Sequence, residues 1–178
     1  MKDLPESILG LCCLLFIVNI FTPLGFSVND IFRSKKEVPL KPYTCDVKGI
    51  GTVSGKRKDG IGVAIFAVEQ TKTIGNYRAQ GKYIVVSFAV SNDTKNSVSL
   101  QNQGFVLLDK HGNKYNCDSH VDWDLPRSAN NINPGLTVGK YVAFDVPESL
   151  DVNSLTFQFN MGLFGANLTL PLKVQFAQ

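Results

Sequence analysis

Residues 81–92 alternate along an extended chain. Ile84, Val86, Phe88 and Val90 fall on one side, and Tyr83, Val85, Ser87, Ala89 and Ser91 on the other. A period of two, carried by β-branched and aromatic residues, predicts a strand. The second side is only mildly polar, which places this strand inside a sheet. Gly81 opens it, and Asn92-Asp93-Thr94 with Asn96-Ser97 turns the chain afterwards. The same alternation marks residues 140–146, with Val142, Phe144 and Val146 inward and Pro147 as a stop. It marks Leu155, Phe157 and Phe159, and then Leu168, Leu170, Leu172, Val174 and Phe176. Pro171 cannot donate to a ladder, so the last strand belongs at an edge or carries a bulge. Residues 63–70 are apolar on both sides, as in a fully buried strand. Residues 105–108 and 114–117 flank Asp109-Lys110-His111-Gly112-Asn113 as a hairpin, and 98–100 forms a short strand. Residues 118–135 read as a long irregular loop. Seven or so short strands at this spacing predict an all-β antiparallel sandwich, with Phe88, Phe144 and Phe157 in one core.

The amino-terminal stretch has a different pattern. No charge occurs between Glu6 and Asp30, and residues 8–21 read ILGLCCLLFIVNIF. A cleaved signal peptide fits, with Pro23 breaking a hydrophobic helix and Gly25 and Ser27 preceding a cut at Val28. So does an uncleaved anchor over residues 8–28, which spans a bilayer at about 1.5 Å per residue. A buried helix is the third reading. Arg33, Lys35 and Lys36 follow the segment, against the usual orientation of an anchor. Cys12 and Cys13 precede most of the apolar run, which argues against a lipoprotein. The division that results is 1–28 as signal peptide or membrane anchor, 29–61 as a Pro-containing, charged tether, and 62–178 as the sandwich.

Composition narrows the function. Of the 178 residues 44% are hydrophobic, too many for disorder, and the net charge of +3 is too small for a nucleic-acid footprint. The stretch GTVSGKRKDG looks like a phosphate-binding loop but fails. Three residues separate Gly51 from Gly55 where four are needed, and Arg57 stands where Ser or Thr would bind the metal. It reads as a solvated loop. No Gly-x-Ser-x-Gly elbow occurs, and His111 and His120 are the only imidazoles, so no catalytic residues are assigned and no cofactor is expected.

Two constellations remain. Cys45 and Cys117 are the only cysteines outside the apolar run, and an exported chain often pairs two such thiols. Closing a loop of about 72 residues would stabilise by about 4 kcal/mol on the chain-entropy estimate. Asp118, His120, Asp122 and Asp124 share one side of an extended segment and could hold a divalent cation, although the EF-hand spacing is missing. The competing reading is a solvated acidic loop with Trp123 on the core. Asn92-Asp93-Thr94 and Asn167-Leu168-Thr169 fit the glycosylation sequon.

A linked series of residues resembles a known family. Gly81-Lys82-Tyr83 leads through Val90-Ser91-Asn92 to Val98-Ser99-Leu100. Phe105, Leu107, Asp109, Gly112, Lys114 and Tyr115 follow, then Asn133-Pro134-Gly135, Gly139-Lys140 and Phe144-Asp145-Val146-Pro147. Over about residues 62–174 this is similar to the bacterial extracellular domains of unknown function whose immunoglobulin-like sandwich resembles telokin and a secreted mycobacterial antigen. The resemblance implies a secreted or surface-tethered domain and carries over no catalytic residue. The cysteine after Asn116 and the 118–124 loop depart from the family pattern. The combined expectation is a non-enzymatic extracellular or cell-envelope domain. Its partner is a protein or cell-surface ligand, it takes no nucleic acid, and it meets the membrane only through residues 8–28. The alternative is a metal-binding protein or metal-dependent enzyme using residues 118–124.

Overall fold

The computed structural model describes residues 40–48, 50–101, 104–121, 131–160 and 167–173. These all belong to the compact unit Val38–Gln178. The expected hydrophobic helix of residues 1–28 lies outside the described residues. The first sheet has the order β1 (Lys41–Val47), β2 (Gly51–Lys58), β3 (Ile61–Ile74), β4 (Tyr77–Asn92), β9 (Thr137–Val146). The second has the order β11 (Leu168–Pro171), β10 (Thr156–Phe159), β6 (Phe105–Leu108), β7 (Lys114–Asn116). A ribbon of β5 (Val98–Ser99) and β8 (Asn131–Ile132) completes the pairings among the described residues. Every pairing is antiparallel.

The inner faces meet in one apolar core. Ile84, Val86, Phe88 and Val90 of β4 join Val142, Phe144 and Val146 of β9 and Phe105, Leu107, Phe157 and Phe159 of the facing sheet. Phe88, Phe144 and Phe157 are fully buried, so the strand parity read from the sequence holds. Their rings touch. Phe88 lies 4.9 Å from Phe157 and 5.0 Å from Phe105, and Phe105 stacks on Phe159 at 4.8 Å. The outer face of β4 is covered as well: Tyr83 and Val85 pack with Ile74, Ala79, Val121 and Ala143. That explains why this face is so weakly polar. Pro171 lies on β11, at the edge of its sheet, where the missing N–H costs least.

Two devices shape β3. Asp59 and Gly60 both have positive φ, 49° and 82°, which suits a two-residue hairpin turn between β2 and β3. A bulge between Ile65 and Ala67 then inserts Phe66. Phe66 turns to the outer face, edge-on to Tyr141 with centroids 6.2 Å apart, while Ile65 and Val68 both keep to the core. The bulge is why residues 63–70 look apolar on both sides.

The tether expected over 29–61 is too long. Residues 41–58 are β1 and β2, paired residue for residue from Lys41↔Arg57 to Val47↔Gly51. The loop reading of GTVSGKRKDG falls with it. That stretch is β2 plus its turn, and Gly55 is there because β3 passes so close that a Cβ would sit 2.0 Å from the Val63 carbonyl oxygen. Inside the 118–135 loop, β8 pairs with β5.

Phe157→Ala should cost about 3–5 kcal/mol in denaturant unfolding, as an aromatic truncation in a filled core does. Gly81→Ala should cost about 1–3 kcal/mol, since its Cβ would meet the Val146 carbonyl oxygen at 2.1 Å. Gly139→Ala, with nothing within 4 Å, should stay within about 1 kcal/mol of the parent. Equal costs at the two glycines would contradict the close approach of β4 to the end of β9.

Candidate functional site

Apart from its core side chains, the family pattern includes polar residues that are engaged in holding backbone. Asn92 is wholly buried. Its Nδ2 donates to the Asn96 and Ile132 carbonyls at 2.8 and 2.9 Å, and its Oδ1 accepts from the Thr94 amide and hydroxyl at 2.9 and 2.7 Å. Its own amide donates to the Leu136 carbonyl, and Gly135 N donates back to its carbonyl. One side chain thus ties the end of β4 to the turn after it and to the chain entering β9. An Asn92 amide so engaged and enclosed is not open to a glycosylating enzyme, whereas Asn167 is exposed.

Asp109 does the same for the β6–β7 hairpin. It accepts from the amides of His111 and Asn113, from Asn113 Nδ2 and from the Tyr115 hydroxyl. These donors, led by the Asn113 side chain, hold its carboxyl below the usual value of 3.8. Gly112 supplies the positive φ of 84° that the turn needs. Asp145 accepts from the amides of Gln80 and Gly81 at 2.7 and 3.1 Å and fastens β4 to β9.

The most chemically mixed corner is where the chain leaves β7. Asp118 N donates to the Ala143 carbonyl at 2.8 Å, which seats the segment against the border strand β9. Val121, wholly buried, anchors it over the outer face. The Asp118 carboxylate accepts from the His120 amide at 2.9 Å and lies 3.3 Å from His120 Nδ1. Its other oxygen accepts from the Tyr83 hydroxyl at 3.4 Å. Burial, then the charges of Asp118 and Asp145, push the Tyr83 hydroxyl above its ordinary value of 10.0. The His120 side chain is 84% exposed. The corner therefore presents a carboxylate and an open imidazole beside a buried phenol.

The four expected metal ligands divide. Asp118 and His120 meet, while Asp122 and Asp124 lie outside the described residues. Among the described residues no three potential ligands converge.

The expected disulfide is not formed and must be corrected. Cys45 faces Val53 across β1 and β2 and packs with Tyr43 on the outer face. Cys117 packs against the inter-sheet core, and the residue after it bonds to β9. Strands β2, β3 and β4 lie between β1 and β9, so the two borders are about 19 Å apart at ordinary strand spacing. Bridging needs Cα atoms within about 7 Å.

The sequence analysis named two charged residues without giving either a packing role. Lys140 has the parity of Val142 and Phe144 and is buried, with Nζ 5.9 Å from the Phe105 ring centroid. The alternation already placed it inward. Arg57 lies over the Tyr43 ring at 4.9 Å and pairs with Asp93 at 2.7 Å. Tyr43 in turn covers Gly62, where a Cβ would clash with its ring.

A family model described as "Domain of unknown function (DUF4352)" matches residues 24–168. No curated protein matches the sequence. Several solved structures are similar. The ycdA protein of Bacillus subtilis, a candidate lipoprotein, is 17% identical over 66% of this chain and 38% of its own, with a TM-score of 0.52. The yjhA protein of Bacillus subtilis is 12% identical over 64% of this chain and 92% of its own, with a TM-score of 0.51. The secreted protein MPT63 of Mycobacterium tuberculosis is 16% identical over 74% of this chain and 92% of its own, with a TM-score of 0.48. At such identities the first two likenesses are likenesses of fold.

The stability that neutral Tyr83 contributes should be full below pH 10 and decline as the pH climbs through the raised folded value. Asp118→Asn removes one negative neighbour. Tyrosinate absorbance should then show Tyr83 titrating closer to its ordinary value, though not at it, because burial is the larger cause. An unchanged titration would mean that the Asp118 carboxylate does not face this hydroxyl.

Proposed function

The chain belongs to the family described as Domain of unknown function (DUF4352), and from that premise we propose that it is a non-enzymatic immunoglobulin-like binding or structural domain displayed outside the cytoplasmic membrane. The observation that carries the reading is the employment of the pattern residues. Asn92, Asp109 and Asp145 spend their polar groups on backbone, and Gly81 and Gly112 allow close approach or positive φ. What this family pattern specifies is a rigid sandwich, and a rigid sandwich is a frame for surfaces and loops. The uncharged run of residues 8–21 supports export, either as a signal peptide or as an anchor. The partner is a protein or another component of the cell surface, met through the loops and sheet faces.

Fractionation of the source cells with amino-terminal sequencing tests the reading. The expected result is export: a mature chain starting near Val28, or an intact chain in the membrane fraction. Recovery from the cytoplasm with residues 8–21 retained would overturn it.

A further inference from the structure

One end of the five-stranded sheet differs from the rest of the surface. Lys41, Arg57, Gly62, Ser91 and Thr137 pair in succession and form one straight row across all five strands. Beyond that row the sheet ends at Leu40, Lys58, Ile61, Asn92 and Leu136. Leu40 and Leu136 are two of the four large hydrophobic side chains exposed among the described residues, at 37% and 51%. Each immediately precedes one of the two border strands, which lie about 19 Å apart at ordinary strand spacing. Between them stand the Asp59-Gly60 turn and the turn after β4, which carries Lys95. The two turns are joined, since Asp93 N donates to the Gly60 carbonyl.

Folding explains only part of the charge at this end. Lys41 and Arg57 face each other directly across β1 and β2, a like-charge pair that weakens a sheet. Arg57 is compensated by Asp93. Lys41, Lys58 and Lys95 stand against Asp59 alone, which leaves the end cationic. Arg57 gains the Tyr43 ring in exchange, but the three lysines gain no such contact, and cations gathered without a packing role mark a surface kept for something else. The chain also enters the sandwich here. Leu40 opens the described unit, downstream of the apolar run and of Arg33, Lys35 and Lys36.

We propose that this end of the sandwich is a contact surface for an anionic phospholipid bilayer. Leu40 and Leu136 enter the headgroup region at two corners, and Lys41, Lys58 and Lys95 face lipid phosphates. Each cation near such a surface contributes about 1 kcal/mol, and the exposed leucines suit a bilayer rather than a soluble polyanion. The sheet would then stand on the membrane with the Gly75-Asn76 turn at its far end. The inference rests on the export reading, in its anchored form.

The test is hydrogen exchange on the full chain in vesicles of phosphatidylcholine, with and without phosphatidylglycerol. With the anionic lipid, amides at 58–60, 93–97, 133, 135 and 136 should exchange about tenfold more slowly, while those at 75–76 are unchanged. Lys58→Glu with Lys95→Glu should abolish the protection, and so should Leu136→Ser. Lys95 and Leu136 are exposed and Lys58 is half-buried at a strand end, so unfolding midpoints should move little, and measuring them separates a lost contact from a lost fold. Three results would overturn the contact: no protection, the same protection in phosphatidylcholine alone, or protection by soluble polyphosphate that survives Leu136→Ser. If the chain stays with the vesicles but this end is unprotected, the contact fails and the anchored reading stands. If sequencing shows a chain cut near Val28, the anchor fails. The mature chain is then sedimented with the same vesicles, where loss of binding in the variants supports the contact and absence of binding refutes it.

Discussion

The packing of phenyl rings between the two sheets is the interaction on which the rest depends. Phe88 from the centre of the larger sheet meets Phe105 and Phe157 of the smaller one, and Phe157 meets Phe144 edge-on at 6.4 Å. These rings fix the register of every strand that carries them, because a slip of one residue would send an entire inward set to the other face. The bulge at Phe66 obeys the same constraint: the extra residue turns outward so that Val68 can return to the core. Even β2, whose own pairing with β3 covers only three residue pairs, is drawn over the smaller sheet, where Lys56 Nζ donates to the Thr169 carbonyl.

Around that core, polar side chains close the turns. Asn92, Asp109 and Asp145 each satisfy several backbone or neighbouring donors and acceptors at places where the chain leaves a strand. Buried or crowded amides left without such partners would cost about 1–3 kcal/mol each. The carboxylates and amides with the best geometry are therefore committed to architecture. What remains open to a partner is peripheral: the exposed His120 beside Asp118, the sheet borders, and the cationic end through which the chain enters.

Much of this was legible because burial and alternation coincide. Residues 81–92, 140–146 and 155–159 announce their inward faces, and the structure keeps those faces. The edge position of Pro171 follows from its missing N–H. The family resemblance also held, since it rested on residues that set turns and close approaches. The first hairpin was hidden for a physical reason. Val53 is the one apolar side chain of β2, and glycine, threonine, serine, lysine and arginine fill the rest, so no apolar period marks a strand. The Asp59-Gly60 pair was the available signal, as a hairpin turn that asks for strands on both sides. Lys140 was legible by parity and overlooked by residue type. The cysteine pairing failed because sequence counts thiols and says nothing of which border each strand occupies.

The central claim is that the two sheets hold each other through these rings, and a double-mutant cycle between Phe88 and Phe157 tests it most directly. Each is changed to Leu alone and together, and unfolding free energies are measured in denaturant. Rings with centroids 4.9 Å apart should give a coupling of about 0.5–1.5 kcal/mol beyond the separate losses. Additivity within about 0.3 kcal/mol would mean that the rings do not meet, and the sandwich described above would not be the structure in solution.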